Sequence, residues 1–210
     1  MIRLLMADDH TIVREGLKQI LALSSDIRVA CEAPTGADVL QLVRNGKFDL
    51  LLLDMAMPGI SGVDLIGRVK AEQQCLPILV LSMHDEPQVV TRAFKAGATG
   101  YITKDCEPEK LLHAIRKVAD GQKYIDPMLA EQIAFDIAFP DQRMPHASLS
   151  NREYEILRLL AMGKSINDIA RQLVISNKTV STHKMHLMKK MGLSSMAAIV
   201  SYAIQHNLLD

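Results

Sequence analysis

Over its first 120 residues the chain alternates short apolar runs with amphipathic stretches. The runs at 2–7, 27–33, 50–53, 78–82 and 100–103 are rich in Ile, Leu and Val, which predicts strands buried on both faces. Helical patterns fall between them at about 13–23, 36–44, 63–73, 87–96 and 108–119. In the first of these, Val13, Leu17, Ile20 and Leu21 share one face. Five such alternations imply right-handed crossovers, a five-stranded parallel sheet and helices on both of its faces, a doubly wound α/β domain. Residues 121–148 hold no strand pattern: Asp126-Pro127 can open a short helix through Ile137, and 139–148, with Pro140 and Pro145, reads as a tether.

From residue 149 the pattern is helical throughout. Ser150-Asn151-Arg152-Glu153 is a capping-box sequence ahead of Ile156, Leu157, Leu159 and Leu160, and Gly163 can close that helix. Ile166, Ile169, Ala170 and Leu173 mark a second helix, Val174-Ile175-Ser176 a turn, 177–191 a third helix ended by Gly192, and about 195–205 a fourth. The expected organisation is an α/β domain over 1–121, a linker with a possible short helix over 122–147, and a small all-α domain over 148–210.

Composition narrows the class. At 49% hydrophobic and 23% charged the chain is globular, not disordered. Its apolar runs are too short to cross a bilayer, acidic residues at Asp8 and Asp9 interrupt any signal-peptide core, and no membrane association is expected. Cys31, Cys75 and Cys106 are scattered and odd in number, which argues against a disulfide scaffold and fits a reducing cytoplasm. The net charge of zero divides into −2 over 1–120, −2 over 121–148 and +4 over 149–210. An acidic front and a basic back suit two units with different partners, the second polyanionic.

In a parallel sheet, chemistry gathers at the carboxyl ends of the strands. Asp8 and Asp9 follow the first strand, Asp54 the third, Ser82 the fourth and Lys104 the fifth, so all five converge on one edge. Three close carboxylates repel one another and favour a bound hard cation, most simply Mg²⁺. A cation with a hydroxyl and an ammonium nearby would neutralise a phosphoryl group. Any one strand-end Asp is often only a loop or helix cap; five matching positions weigh against that reading.

These residues, with Met57-Pro58-Gly59 and Gly62 after Asp54 and Tyr101-Ile102-Thr103-Lys104, resemble the signature of a two-component receiver domain over about 1–120, a flavodoxin-like fold. The resemblance implies Asp54 as phosphoacceptor from a sensor histidine kinase. It also implies that Asp9 and Asp54 ligate Mg²⁺ directly, Asp8 through water and Ala56 through its backbone carbonyl, with Lys104 on the phosphoryl group. Ser82 and Tyr101 would be the switch pair, the ring following the hydroxyl inward; taken alone, Tyr101 reads as a half-buried strand aromatic. Many receivers place a proline with a cis peptide after the lysine, where this chain has Asp105. Haloacid-dehalogenase-type phosphohydrolases also pair a nucleophilic Asp with a later Ser and Lys, but they need a second Asp at position 56, which is Ala.

The helix, three-residue turn and helix of the tail form a helix-turn-helix arrangement. On the third helix Val180, Leu187 and Met191 share a core-facing arc with His183 at its margin, and Lys178, Ser181, Thr182, Met185, His186 and Lys189 share the opposite one. Such a face can place Lys on phosphates and Ser or Thr at base edges; an isolated Lys-rich face is more often merely solvated. Leu149-Ser150-Asn151-Arg152-Glu153, Asn167-Asp168-Ile169-Ala170 and the run from Ser176 to His183 resemble the LuxR-type helix-turn-helix over about 148–210. Together the two halves resemble a NarL/FixJ-family response regulator. That resemblance implies base contacts from Ser181, Thr182 and Met185, with Lys178, Thr179, Lys184 and Lys189 nearer the backbone. It implies promoter DNA and the transcription machinery as partners, and a homodimer when phosphorylated or on DNA. The last helix, with Ile199, Val200, Ala203 and Ile204, either joins that dimer or only completes its own core. The other function class is a phospho-dependent interaction protein whose tail docks on proteins. His10, His84, His113, His146 and His206 are dispersed and receive no metal or catalytic role.

Overall fold

The computed structural model describes residues 1–83, 85–138, 144–206 and 208–209, so His84 and the first half of the expected tether, 139–143, lie outside it. The chain divides into two compact units, Met1–Ala138 and Phe139–Asp210.

In the first unit β1 (Ile2–Ala7), β2 (Ile27–Ala33), β3 (Leu50–Asp54), β4 (Ile78–Ser82), β5 (Gly100–Thr103) and β6 (Tyr124–Ile125) form one sheet in the order β2-β1-β3-β4-β5-β6. Every neighbouring pair is parallel. The crossovers are α1 (Thr11–Ala22), α2 (Gly36–Asn45), α3 (Gly62–Glu72), α4 (Pro87–Ala96) and α5 (Pro108–Ala119). The period-two alternation of the strands sorts the core. Leu4, Met6, Leu50, Leu52, Leu79 and Leu81 pack with Leu17 and Leu21 of α1 and Leu111, Ile115 and Val118 of α5. Burying one such side chain contributes about 1.5–3 kcal/mol.

The strand register levels the sheet's carboxyl edge. Ala7 lies beside Leu53, Asp54 beside Leu81, and Ser82 beside Thr103. Asp8, Asp54, Ser82 and Lys104 therefore lie within one residue of a common line.

One expectation for this half is corrected. The sheet has six strands, not five: Tyr124 and Ile125 pair with Gly100 and Tyr101 at the edge. Two residues are too few to show a strand period. The short helix expected from Asp126-Pro127 forms as α6 (Pro127–Ala138), which packs on α4 and falls within the first unit.

The second unit consists of a 3-10 turn (Pro145–Ser148) and four helices, α7 (Asn151–Ala161), α8 (Ile166–Leu173), α9 (Asn177–Met191) and α10 (Met196–Gln205). Each helix is opened by a serine, Ser150, Ser165, Ser176 or Ser195, whose side chain accepts from a backbone N–H in the first turn. Ile156, Leu157, Ile169, Val180, Leu187, Ile199 and Ala203 fill the core. No helix among the described residues is long and apolar enough to cross a membrane.

Candidate functional site

At the β1/β3 junction, where the strand order reverses, Asp8 and Asp54 are nearly closed to solvent, at 1% and 4% exposure. Lys104 reaches both: its Nζ donates to Asp8 Oδ2 at 2.8 Å and to Asp54 Oδ2 at 2.9 Å. Burial is the largest influence on that ammonium and pulls its pKa down, but the hydrogen bonds to the two carboxylates outweigh it and the net shift is upward. The remaining oxygens are held by the backbone: the His10 N–H donates to Asp8 Oδ1 at 2.7 Å and the Ala56 N–H to Asp54 Oδ1 at a weaker 3.3 Å. Asp9 Oδ1 is buried without a hydrogen-bond partner. Asp8, Asp9, His10 and Asp54 each offer one ligand atom, all within 4.8 Å of one another, so the cluster has the dimensions of a divalent-cation site.

Ser82 and Tyr101 stand beside this cluster and share a hydrogen bond. Tyr101 is fully buried, not half-buried as its strand position alone suggests. Burial pushes the phenol far above its ordinary pKa, which keeps it neutral. The peptide after Lys104 is trans, and Cys106 N–H closes a turn onto the Thr103 carbonyl at 3.2 Å. Gly59 and Gly62, at φ +81° and +56°, shape the loop after Asp54 in a region that L side chains avoid.

In the second unit α9 divides as its sequence period predicts. Val180, Leu187 and Met191 are buried, whereas Lys178, Ser181, Thr182, Met185, His186 and Lys189 are exposed. Thr179 and Lys184 are half-buried. The Thr179 hydroxyl is engaged with Ser176 Oγ at 2.8 Å, and Thr182 Oγ1 donates to the Lys178 carbonyl at 2.9 Å. On α10, Ile199 and Ala203 belong to the unit's own core and Ile204 stays 61% exposed.

Residues 4–116 match the response regulator receiver domain, and residues 147–203 match the luxR family of bacterial regulatory proteins. The chain belongs to the response regulators. It joins a receiver to a LuxR-type DNA-binding domain. Its relatives include the response regulator UvrY of Escherichia coli K12, 34% identical across 100% of this chain and 97% of UvrY. Among solved structures, RcsB of Salmonella enterica serovar Typhimurium, bound to promoter P1flhDC with the phosphomimetic BeF3-, superposes with a TM-score of 0.75 at 26% identity, covering 96% of this chain and 97% of RcsB. Another structure shows two RcsB dimers on two parallel DNAs, with a TM-score of 0.60 at 26% identity over 96% of each chain. The response regulators are regulators, not enzymes, and the phosphohydrolase reading falls with that assignment.

Three further sets of contacts in the response regulator belong to no sequence motif, apart from the capping box of Glu153. His10 lies within the carboxylate cluster, adjacent in sequence to Asp8-Asp9. Arg14 Nη1 donates to the Asp8 carbonyl at 2.7 Å while its Nε donates to Glu32 Oε2 at 3.1 Å, which ties the end of β1 to α1 and β2. Glu153 serves both as capping-box acceptor for the Ser150 N–H at 2.7 Å and as partner of Lys190 Nζ at 2.6 Å, fastening α9 to α7. The capping box was legible; the Lys190 contact spans 37 residues and left no local signal.

Proposed function

We propose that this response regulator accepts a phosphoryl group on Asp54 from a sensor histidine kinase, and that the modification controls sequence-specific binding of α9 to promoter DNA. The observation that carries this reading is the bridging of Asp8 and Asp54 by one buried ammonium, Lys104, at 2.8 and 2.9 Å. Transfer forms a bond from an Asp54 oxygen to phosphorus and breaks the bond from phosphorus to the donor's histidine nitrogen. Lys104, already between the two carboxylates, follows the added charge, and the Ser82 hydroxyl turns from Tyr101 toward the phosphoryl oxygens.

The residues present fit Mg²⁺, because Asp9 Oδ1 is a buried acceptor with no partner. Asp9 and Asp54 would hold the ion directly. Asp8 would hold it through water, since both of its oxygens already accept from His10 N–H and Lys104. The Ala56 carbonyl would complete the protein ligands. When bound, Mg²⁺ supplies charge neutralisation for the entering phosphoryl group.

On the other unit, Ser181, Thr182 and Met185 would meet base edges, with Met185 limited to apolar contact such as a thymine methyl. Lys178, Thr179, Lys184 and Lys189 would lie nearer phosphates. The open Ile204 supports a homodimer formed on phosphorylation or on DNA. A DNA partner and recruitment of the transcription machinery set this work in the cytoplasm. The test is intact mass with light scattering, before and after Mg²⁺ and acetyl phosphate. One phosphoryl group on the wild type and none on Asp54→Asn is expected, with a shift toward dimer; labelling of the variant would overturn the assignment.

A further inference from the structure

His10 is the one member of the carboxylate cluster for which the receiver chemistry above has no use. It is the N-cap residue of α1, yet its side chain makes no capping hydrogen bond and remains 64% exposed. Its Nδ1 lies 3.0 Å from Asp9 Oδ1 and 3.5 Å from Asp8 Oδ1. The first approach is not a hydrogen bond, because Asp9 Oδ1 has no hydrogen-bond partner. Two potential ligand atoms at that separation have the spacing of neighbouring ligands on one ion. With metal–ligand bonds of about 2.1 Å, adjacent positions of an octahedral shell are about 3.0 Å apart and opposite ones about 4.2 Å. The ligand atoms of Asp8, Asp9, His10 and Asp54 lie within 4.8 Å of one another, so a small rotation of the exposed His10 ring brings its nitrogen onto the shell held by Asp9 and Asp54.

We propose that His10 is a nitrogen ligand of this site, and that the site is thereby adapted to divalent ions of the first transition row. The inference rests on the cation-site reading of Asp9 and Asp54 given above. Mg²⁺ takes oxygen donors and retains its waters, so the imidazole gains it little; Mn²⁺ and the later ions accept imidazole readily. The nitrogen therefore widens the gap between transition ions and Mg²⁺ beyond what carboxylates alone give. Because the ring is exposed, an ion can enter from solvent without local unfolding.

Mn²⁺ is the probe, and the full chain is the material. Pulsed electron paramagnetic resonance of the Mn²⁺-loaded wild type is expected to show coupling to a ¹⁴N nucleus, absent in His10→Gln. Calorimetric titration should then show Mn²⁺ affinity lowered roughly tenfold in His10→Gln, with Mg²⁺ affinity changed by less than about twofold. Circular dichroism confirms that the variant, altered at an exposed side chain, remains folded. Tight Mn²⁺ binding without nitrogen coupling would overturn the role of His10 and leave the carboxylate site standing. Coupling that persists in His10→Gln would overturn it equally. Failure of the wild type to bind either ion would overturn the cation site itself.

Discussion

The carboxyl edge of the sheet and the outer face of α9 are both polar surfaces, built by opposite means. The first draws on Asp8, Asp9, Asp54 and Lys104, which are up to 96 residues apart and meet only because the strand register is level. Of these, Asp8 and Asp54 are buried, and Lys104 locks them to one another. The second draws on Lys178, Ser181, Thr182, Met185 and Lys189, all from one helix and all open to solvent. In a buried cluster each charge is felt strongly and the loss of one strands its partners; on an exposed face each charge acts weakly, nearly independently and under salt screening. The first surface suits a chemical event that occurs or fails, the second a graded affinity.

The sharpest break in that contrast is Lys104→Ala. It leaves two buried carboxylates facing each other without a cation, and receiver stability measured by urea unfolding in chelator should fall by about 3 kcal/mol. Added Mg²⁺ should recover part of the loss by mass action, while phosphorylation by acetyl phosphate stays strongly impaired. A variant as stable as wild type in chelator would show that the ammonium does not hold the pair. Removing the same residue type from the outer face of α9 should leave stability within about 0.5 kcal/mol.

Glu153 brings the buried kind of charge into the second unit. Burial alone would raise its pKa, but Lys190 and the Ser150 cap override it and hold the carboxyl down at about 2. Against an ordinary value of 4.5, that favours the folded state by about 3 kcal/mol at neutral pH. A carboxyl with a lowered folded pKa contributes fully above its unfolded value, so this stabilisation should be complete above about pH 4.5 and disappear as pH falls toward 2. Thermal unfolding followed over that window in wild type and Glu153→Gln should converge at the acid end. Parallel curves would separate the stability of this unit from the Glu153–Lys190 pair.

On the exposed face the readout is salt. Where the Lys178 ammonium neutralises one phosphate, Lys178→Ala should make the slope of log K against log[salt] less negative by about 0.9. Lys190 sharpens the comparison, because its ammonium is already held by Glu153. Lys190→Ala should leave the slope unchanged while lowering stability. If both variants move the slope alike, pairing with Glu153 does not withdraw Lys190 from DNA.

The two surfaces also differed in how far the sequence announced them. The α9 face follows from the helical period alone, and its predicted arc matches the exposed residues position by position. The carboxyl edge was legible because a parallel sheet puts every strand's carboxyl end on one side, so Asp8, Asp54, Ser82 and Lys104 could be aligned without knowing a single contact. What stayed hidden was set by tertiary pairing. Tyr124 and Ile125 become a strand only because the β5 edge is free to accept them, and the packing of α6 on α4 has no local signal. His10 belongs to no motif and is one dispersed histidine among several in the sequence, and its place beside Asp8-Asp9 is the one signal it carries.

The smallest expected effect lies between the helices of the exposed surface. Val174 caps α8 at φ 53°, the described non-glycine residue with a positive φ, and its side chain is 79% exposed. A β-branched residue in the left-handed region costs about 1–2 kcal/mol through contact of Cβ with the following carbonyl oxygen. Nothing is returned by packing, since the side chain faces solvent. The turn is obligatory because Ile175 N–H must fold back to the Ala170 carbonyl, a 3.0 Å bond that starts the approach to α9. Asn tolerates this conformation, so Val174→Asn should stabilise the second unit by about 1 kcal/mol and raise its melting temperature by roughly 4–8 °C. DNA affinity should stay within about twofold, because the substitution adds no charge and leaves the α9 face untouched. A variant less stable than wild type would mean that the exposed valine packs against something outside its own unit.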